Sequence, residues 1–187
     1  MRKVILSMMV SLDGFIEGPN RELDWTIVDK EIDTYADDLL STVDAILLGR
    51  RTYQLFVGFW PTATTEEEII ADKMNEIPKI VFSRTLDKAP WGKWNTARLV
   101  RENIVEEISN MKKQPGKNMV IFGGANLAQT FMQHDLIDEY RLLVQPIVLG
   151  SGTPLFKSGS DRIHLNLLKT QKFNSGVVGL YYQPEKK

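Results

Sequence analysis

The stretch that decides the fold is Val120-Ile121-Phe122-Gly123-Gly124-Ala125-Asn126-Leu127. The apolar residues 119–122, which include β-branched valine and isoleucine, are typical of a buried strand. The residues after the glycines form helices readily and are amphipathic, so the glycine pair predicts a direct turn from a strand into a helix. Such a turn leaves backbone N–H groups free at the positive end of a helix dipole, where a phosphate can bind. Glycine pairs are also ordinary turn chemistry, so this interpretation needs further phosphate ligands elsewhere in the chain.

The composition narrows the classes of protein and of site. The chain has 187 residues, of which 43% are apolar and 25% charged, as expected of one globular domain with a substantial core. The net charge of −1 argues against nucleic acid or an anionic membrane as a partner. The sequence has no cysteine, which excludes disulfides, thiolate metal sites and cysteine nucleophiles. Because the two histidines, His134 and His164, are far apart, we expect neither a metal site nor a serine–histidine triad.

The N-terminal apolar run is too short for targeting to a membrane. Residues 11–14, Ser-Leu-Asp-Gly, interrupt the run too early for a signal peptide. No apolar run approaches the roughly 20 residues that span a bilayer. We therefore expect a cytoplasmic protein.

Strands alternate with helices along the first three quarters of the chain. The predicted strands are Lys3–Val10, Asp44–Leu48, Lys79–Phe82, Thr96–Val100, Met119–Phe122 and Glu139–Val144, followed by a hairpin of Leu165–Phe173 and Val177–Gln183. The predicted helices are Asp29–Val43, Thr52–Gly58, Thr65–Ile77, Asn103–Lys113 with Asn103 and Glu106 as a capping box, and a helix from Ala125 to about His134.

This alternation predicts the fold class. We expect one three-layer αβα domain over residues 1–187, with helices on both faces of a mostly parallel, twisted sheet and an antiparallel C-terminal hairpin. In such sheets ligands bind at the carboxyl ends of the strands.

Three successive predicted strands end in motifs suited to phosphate. They are Gly49-Arg50-Arg51-Thr52, Ser83-Arg84 and Gly123-Gly124. Arginine and hydroxyl side chains suit a phosphate monoester, and the glycine turn offers backbone N–H groups. Any one of the arginines alone would equally suit a surface salt bridge. Their convergence at one sheet edge favours a single ligand that carries a diphosphate and a further phosphate, and NADPH is such a ligand.

The ordered set of motifs resembles the dihydrofolate reductase superfamily, and within it the riboflavin-pathway reductase domain and its free-standing bacterial relatives. The residues that carry the resemblance are Ser11–Ile16, Leu48–Tyr53, Val81–Arg84, Ile121–Ala125 and Pro146–Gly152. The resemblance covers essentially the whole chain. It implies the dihydrofolate reductase-like fold, a homodimer, and NADPH-dependent hydride transfer to a pyrimidine or pterin-like substrate. The activity implied is similar to that of 5-amino-6-(5-phosphoribosylamino)uracil reductase.

The resemblance also implies which residues hold NADPH. Those implied for the cofactor phosphates are Gly49, Arg50, Arg51 and Thr52, with Ser83 and Arg84 on the adenosine 2′-phosphate. Those implied for the pyrophosphate, on the turn and helix N-terminus, are Phe122, Gly123, Gly124, Ala125, Asn126 and Leu127. Those implied beside the nicotinamide are Val10, Gly14 and Ile16.

Two aspartates are candidates for the catalytic proton donor. Asp33 falls at the spacing of the acid that folate reductases carry on the helix after the first loop, although a solvated acidic flank would also explain it. Asp13 lies in the Ser-Leu-Asp-Gly motif that riboflavin-type reductases share, although Asp-Gly is also a turn dipeptide. If neither faces the nicotinamide, water must deliver the proton.

The substrate end of the crevice is less well defined by the sequence. Trp25, Tyr53 and Trp60 are candidates to wall a flat heterocycle, and the loop with Gly150 and Gly152 is a candidate to bind substrate or simply to turn the chain. The Pro-Trp pair of folate enzymes is absent, since Leu23-Asp24-Trp25 stands there.

Three functions remain open at this stage. The first is the reductase of a small heterocyclic molecule, with dihydrofolate reductase activity as a variant. The second is a non-catalytic NADP(H)-binding module, and the third is a structural or dimerisation protein in which all three strand-end motifs are idle.

Overall fold

The computed structural model describes residues 1–159 and 161–185. Its strands are β1 (Val4–Val10), β2 (Phe15–Glu17), β3 (Val43–Gly49), β4 (Lys79–Phe82), β5 (Ala97–Val100), β6 (Asn118–Phe122), β7 (Glu139–Val144), β8 (Thr153–Pro154), β9 (Leu165–Lys172) and β10 (Val178–Pro184). Its helices are α1 (Lys30–Ser41), α2 (Arg50–Val57), α3 (Ala71–Glu76), α4 (Ile104–Lys113) and α5 (Ala125–Gln133), with a 3₁₀ turn at Trp60–Thr62.

The eight long strands form one sheet in the order β5-β4-β3-β6-β1-β7-β10-β9. The strands from β5 to β7 are parallel, whereas β10 runs antiparallel to both β7 and β9. The predicted fold, a mostly parallel sheet with an antiparallel C-terminal hairpin, is thereby confirmed. Within residues 1–159 and 161–185, every helix is too short or too polar to cross a bilayer.

Alternating side chains of the central strand divide the core into two clusters. On β1, Leu6 faces the cluster that packs α4 and α5, whereas Ile5 faces the cluster that packs α1, α2 and α3. Both side chains are fully buried. Helices therefore cover both faces of the sheet, and the crevice at the strands' carboxyl ends lies between them.

Two details of the sequence-based assignment are wrong. The predicted helix Thr65–Ile77 is confined to Ala71–Glu76, because Thr64 and Glu67 bond to each other locally in the preceding turns. Asn103 does not form the predicted capping box. Its backbone is left-handed, with φ of 56°, and its side chain caps no N–H group of α4. A small two-stranded sheet of β2 and β8 was not predicted.

A fully buried lysine stands at the start of β4. The Lys79 ammonium donates to the Asn75 carbonyl at 2.7 Å and to Thr96 Oγ1 at 3.1 Å. It also lies 4.4 Å from the centre of the buried Trp91 ring. None of these three partners is charged, so burial lowers the pKa of Lys79 to about 7 from its ordinary value of 10.5.

Replacing Lys79 should change how stability depends on pH. Between pH 7 and 10.5 the unfolded chain keeps a proton on Lys79 that the folded chain releases, so the free energy of unfolding rises with pH in that window. The variant Lys79→Met should lose this rise and be at least as stable at neutral pH, because Thr96 Oγ1 still donates to the Asn75 carbonyl at 2.7 Å. Urea unfolding from pH 7 to 10 measures the effect, with the exposed Lys88→Met as the control. An unchanged pH slope in Lys79→Met would contradict this reading of the buried ammonium.

Candidate functional site

Four neighbouring strands, β4, β3, β6 and β1, end at the same edge of the sheet. Gly49 at the end of β3 pairs with Phe82 at the end of β4, and Leu47 pairs with Ile121 near the end of β6. The structure thus brings together the three predicted phosphate motifs, which are Gly49–Thr52, Ser83–Arg84 and Gly123–Gly124.

At this edge the start of α2 lies close to the glycine turn. A Cβ on Gly123 would lie 3.1 Å from Thr52 Oγ1, and one on Gly124 would lie 3.2 Å from the same atom. Both glycines also have positive φ, of 63° and 82°, which other residues rarely adopt. On the same side, a Cβ on Gly49 would lie 3.5 Å from the Leu127 Cβ. Glycine at positions 123 and 124 therefore lets the turn pack against Thr52 at the start of α2, whereas the Gly49 distance is an ordinary contact.

The first turn of α5 offers backbone donors to the crevice. Gly124 is its N-cap residue and supplies no side chain, so no side-chain oxygen caps the N–H groups that follow. In the described first turn of α5 there is no acidic side chain. The N–H groups and the dipole both favour an anion at this N-terminus. Gly124–Leu127 is called the pyrophosphate seat after the group that the sequence predicts there.

A second group of donors lies across β3 and β4. Arg50 Nη1 donates to Thr85 Oγ1 at 2.9 Å, and Ser83 Oγ accepts from the Thr85 N–H at 3.2 Å. Arg84, between these two residues in sequence, is exposed. Together these residues form a cationic and hydroxyl-bearing cluster next to the pyrophosphate seat.

Arg51 points instead toward the first loop. Its Nη1 lies 3.4 Å from Glu17 Oε1, and the same carboxylate oxygen accepts from Thr153 Oγ1 at 2.7 Å. Glu17 therefore joins the start of α2 to β8. Sequence reasoning missed both Glu17 and Thr85 as members of the site, because each meets its partner across more than 30 positions of sequence.

The first loop is attached to the loop at 146–154 through Asp13. The Asp13 carboxylate accepts from Ser11 Oγ at 2.7 Å, from the Leu149 N–H at 3.1 Å and from the Gly150 N–H at 2.8 Å. The Ser11 hydroxyl, followed by the two backbone N–H groups, lowers the pKa of Asp13 below its usual value. A carboxylate so held in its ionised form is a poor proton donor. We therefore interpret Asp13 as a residue that positions the loops.

The predicted nicotinamide contacts lie at the end of β1 and on β2. Val10 and Ile16 are buried in the same cluster, and Gly14 between them has a φ of 89°. A Cβ on Gly14 would meet no atom within 4 Å, so the chain is open at that point. Gly152 in contrast packs against β2, since a Cβ there would lie 2.2 Å from the Glu17 carbonyl oxygen.

Asp33 lies on α1 and is half-buried. Asp37, four residues later on the same flank, bonds Lys73 of α3 at 2.6 Å, so this flank faces the α3 side of the helix. Among the described residues, no side chain bonds the Asp33 carboxylate. It is thus available to a bound molecule, unlike Asp13.

The three aromatic residues that are predicted to wall a flat heterocycle differ in their burial and contacts. Tyr53 is buried, contacts Trp91 and donates its hydroxyl to the Pro90 carbonyl at 2.6 Å. Trp60 is half-buried and packs edge-on against Phe56. Trp25 is half-buried and donates its indole N–H to the Glu22 carbonyl at 3.0 Å. The described residues hold no cluster of side chains that would bind a metal ion.

Residues 2–179 match the family of the RibD C-terminal domain. The chain is 41% identical over 184 residues to the uncharacterized protein YyaP of Bacillus subtilis strain 168. The matched residues cover 97% of this chain and 94% of that protein. The chain is also similar to the crystal structure of a protein from Shewanella sp. PV-4 that is described as a riboflavin biosynthesis protein. That comparison has a TM-score of 0.79, 26% identity, and 100% coverage of both chains.

The fold extends to a more distant enzyme. Dihydrofolate reductase from Enterococcus faecalis, solved as a complex with NADP(H), matches with a TM-score of 0.65 at 12% identity. The match covers 98% of this chain and 97% of that one. At this identity the comparison shows a shared fold.

Removing the Asp13 carboxylate should loosen the two loops. Asn at this position has one acceptor oxygen and no charge, so we expect faster amide hydrogen exchange at Leu149 and Gly150 in Asp13→Asn. Since its pKa is lowered, Asp13 stabilises the folded chain above pH 3.8, and this stabilisation is lost as the pH falls through the folded-state value. Exchange monitored by NMR at neutral pH tests this, with the exposed Asp24→Asn as the control. Equal exchange in all three proteins would show that Asp13 does not hold the loops.

Proposed function

The chain belongs to the RibD C-terminal domain family, and on that premise we propose that it is an NADPH-dependent reductase. Membership of this family and the shared fold support a reductase of the riboflavin-pathway or dihydrofolate reductase-like type. The finer proposal is hydride transfer to a pyrimidine or pterin-like substrate. The observation that carries the cofactor part of this proposal is the convergence of the Arg50–Thr85–Ser83 cluster and the pyrophosphate seat on one sheet edge.

The residues at this edge fit a dinucleotide with an additional phosphate. The glycine turn leaves the backbone accessible where a Cβ would fill the space beside Thr52. The pyrophosphate seat would hold the diphosphate, and Arg50, Ser83 and Arg84 would hold the 2′-phosphate through charge-assisted hydrogen bonds. When bound, NADPH supplies the hydride.

The substrate end fits a flat heterocycle. The half-buried Met9, Phe122 and Trp60 pack against the core cluster on the α1 side of the sheet, near its carboxyl edge. On the same side, Asp33 has a carboxylate without a described partner. We propose that Asp33 holds or delivers the proton that accompanies the hydride, while the apolar side chains exclude water.

Two alternative functions use part or all of the same site. Dihydrofolate reductase activity uses the same cofactor and acid, and differs only in the substrate bound beside Trp25 and Trp60. A non-catalytic NADP(H)-binding module would keep the phosphate ligands but would leave Asp33 without a role. The resemblance also supports a homodimer, which we propose as the assembly.

The cofactor proposal predicts a preference for NADPH over NADH. Native protein should bind NADPH at least about tenfold more tightly, since a charge-assisted phosphate contact is typically worth that much. In Arg84→Ala and Arg50→Ala this preference should fall, with NADH binding nearly unchanged. Calorimetric titration measures both nucleotides, and Arg101→Ala, at an exposed residue that bonds the Asp87 carbonyl, is the matched control. Absence of NADPH binding, or an unaltered preference in both variants, would refute the phosphate site.

The acid proposal predicts a loss of turnover without a loss of cofactor. In Asp33→Asn, kcat for NADPH oxidation should fall by about 10²–10⁴, the range of general acid–base catalysis, while the Kd for NADPH is unchanged. The substrates to test are dihydrofolate and the ribosylaminopyrimidine. Asp38→Asn, on the exposed side of α1, is the control. A native kcat in Asp33→Asn would mean that water delivers the proton.

A further inference from the structure

The segment from Thr153 to Lys157 runs from the nicotinamide side of the crevice to the pyrophosphate seat. It begins in β8, which pairs with β2 at Phe15 and Glu17. The Leu155 N–H then donates to the Gly14 carbonyl at 3.0 Å, and the Leu155 side chain is buried in the core. Both contacts fix the path of the segment across the first loop.

The end of this segment reaches the first turn of α5. Lys157 Nζ donates to Asn126 Oδ1 at 3.2 Å, and Asn126 is the second residue of that helix. Among the described residues no carboxylate pairs with Lys157. A cation therefore stands at the positive end of a helix dipole, with only a neutral amide as its partner. The dipole itself disfavours a cation at this place, so the arrangement is stabilised when an anion lies between the two.

We propose that Lys157 is a ligand of the cofactor's pyrophosphate, delivered to the pyrophosphate seat by the segment that follows the first-loop contacts. This assignment rests on the proposed function and adds a residue to its cofactor site. The lysine side chain is exposed, and its flexible stem and three donors let it turn from Asn126 Oδ1 to a phosphate oxygen. The backbone N–H groups of the seat and the ammonium would then share one anion.

The position of Lys157 separates its effect from that of the 2′-phosphate ligands. The pyrophosphate is common to NADPH and NADH, whereas the additional phosphate of NADPH would be held by Arg50 and Arg84. A charge at residue 157 should therefore strengthen both nucleotides by the same factor. The 2′-phosphate ligands should strengthen only NADPH.

The test is a titration of the full chain with NADPH and with NADH. Lys157→Gln should raise the Kd of both nucleotides by the same factor, about three- to tenfold at low salt, and the difference from native should shrink at high salt because salt screens an exposed charge. Lys157→Arg should retain most of the affinity. Lys172→Gln, an equal charge change on the exposed edge strand β9, is the matched control, and equal thermal midpoints verify that the variants are folded.

The outcomes distinguish the inference from the function on which it rests. If native protein binds neither nucleotide, the cofactor proposal itself fails, and the role of Lys157 fails with it. If native protein binds NADPH and Lys157→Gln binds both nucleotides as native does, only the assignment of Lys157 is overturned. A loss confined to NADPH would place Lys157 at the 2′-phosphate and overturn it too, as would an equal loss in Lys172→Gln.

Discussion

The contact of Thr52 with the Gly123–Gly124 turn is the constraint on which the site depends. Because β3 and β6 are neighbouring parallel strands, the helices that follow them begin side by side at the same edge. Any Cβ in the turn would press on the Thr52 hydroxyl at 3.1–3.2 Å. Both the positive φ and the close packing thus require glycine at positions 123 and 124. The same absence of side chains leaves the first N–H groups of α5 open, so the requirement of the fold and the requirement of an anion coincide.

The opposite wall of the crevice is held in a different way. The first loop and the loop at 146–154 have little regular structure to hold them beyond the short pairing of β2 with β8. Two carboxylates also link the loops. Asp13 bonds two backbone N–H groups of the second loop, and Glu17 bonds Thr153 and Arg51. The wall is therefore positioned by the hydrogen bonds of these two carboxylates together with the buried side chains of Ile16 and Leu155.

The sequence predicts the frame of the molecule well and its long-range contacts poorly. The apolar pattern predicted β4 and β7 with their correct ends, because both are short, mostly buried strands. It failed at 65–70, where the Thr64–Glu67 contact forms a closed turn, and at Asn103, whose left-handed backbone no local pattern announces. The three strand-end motifs could be placed because topology alone brings them together. The burial of Tyr53 could not be predicted, since a buried ring and a pocket wall look alike in a sequence.

Two aspartates, Asp33 first and Asp13 second, were candidates for the proton donor on sequence alone. Asp13 has three donors on its carboxylate, which favour the charged form and lower its pKa. Asp33 is half-buried on the flank of α1 and has no described partner. Three donors on one carboxylate favour its charged form, so they oppose the binding of a proton that it must later release. The structure therefore separates the two aspartates by their surroundings: Asp13 is held in the wall of the crevice, and Asp33 is the aspartate that we propose as the proton donor.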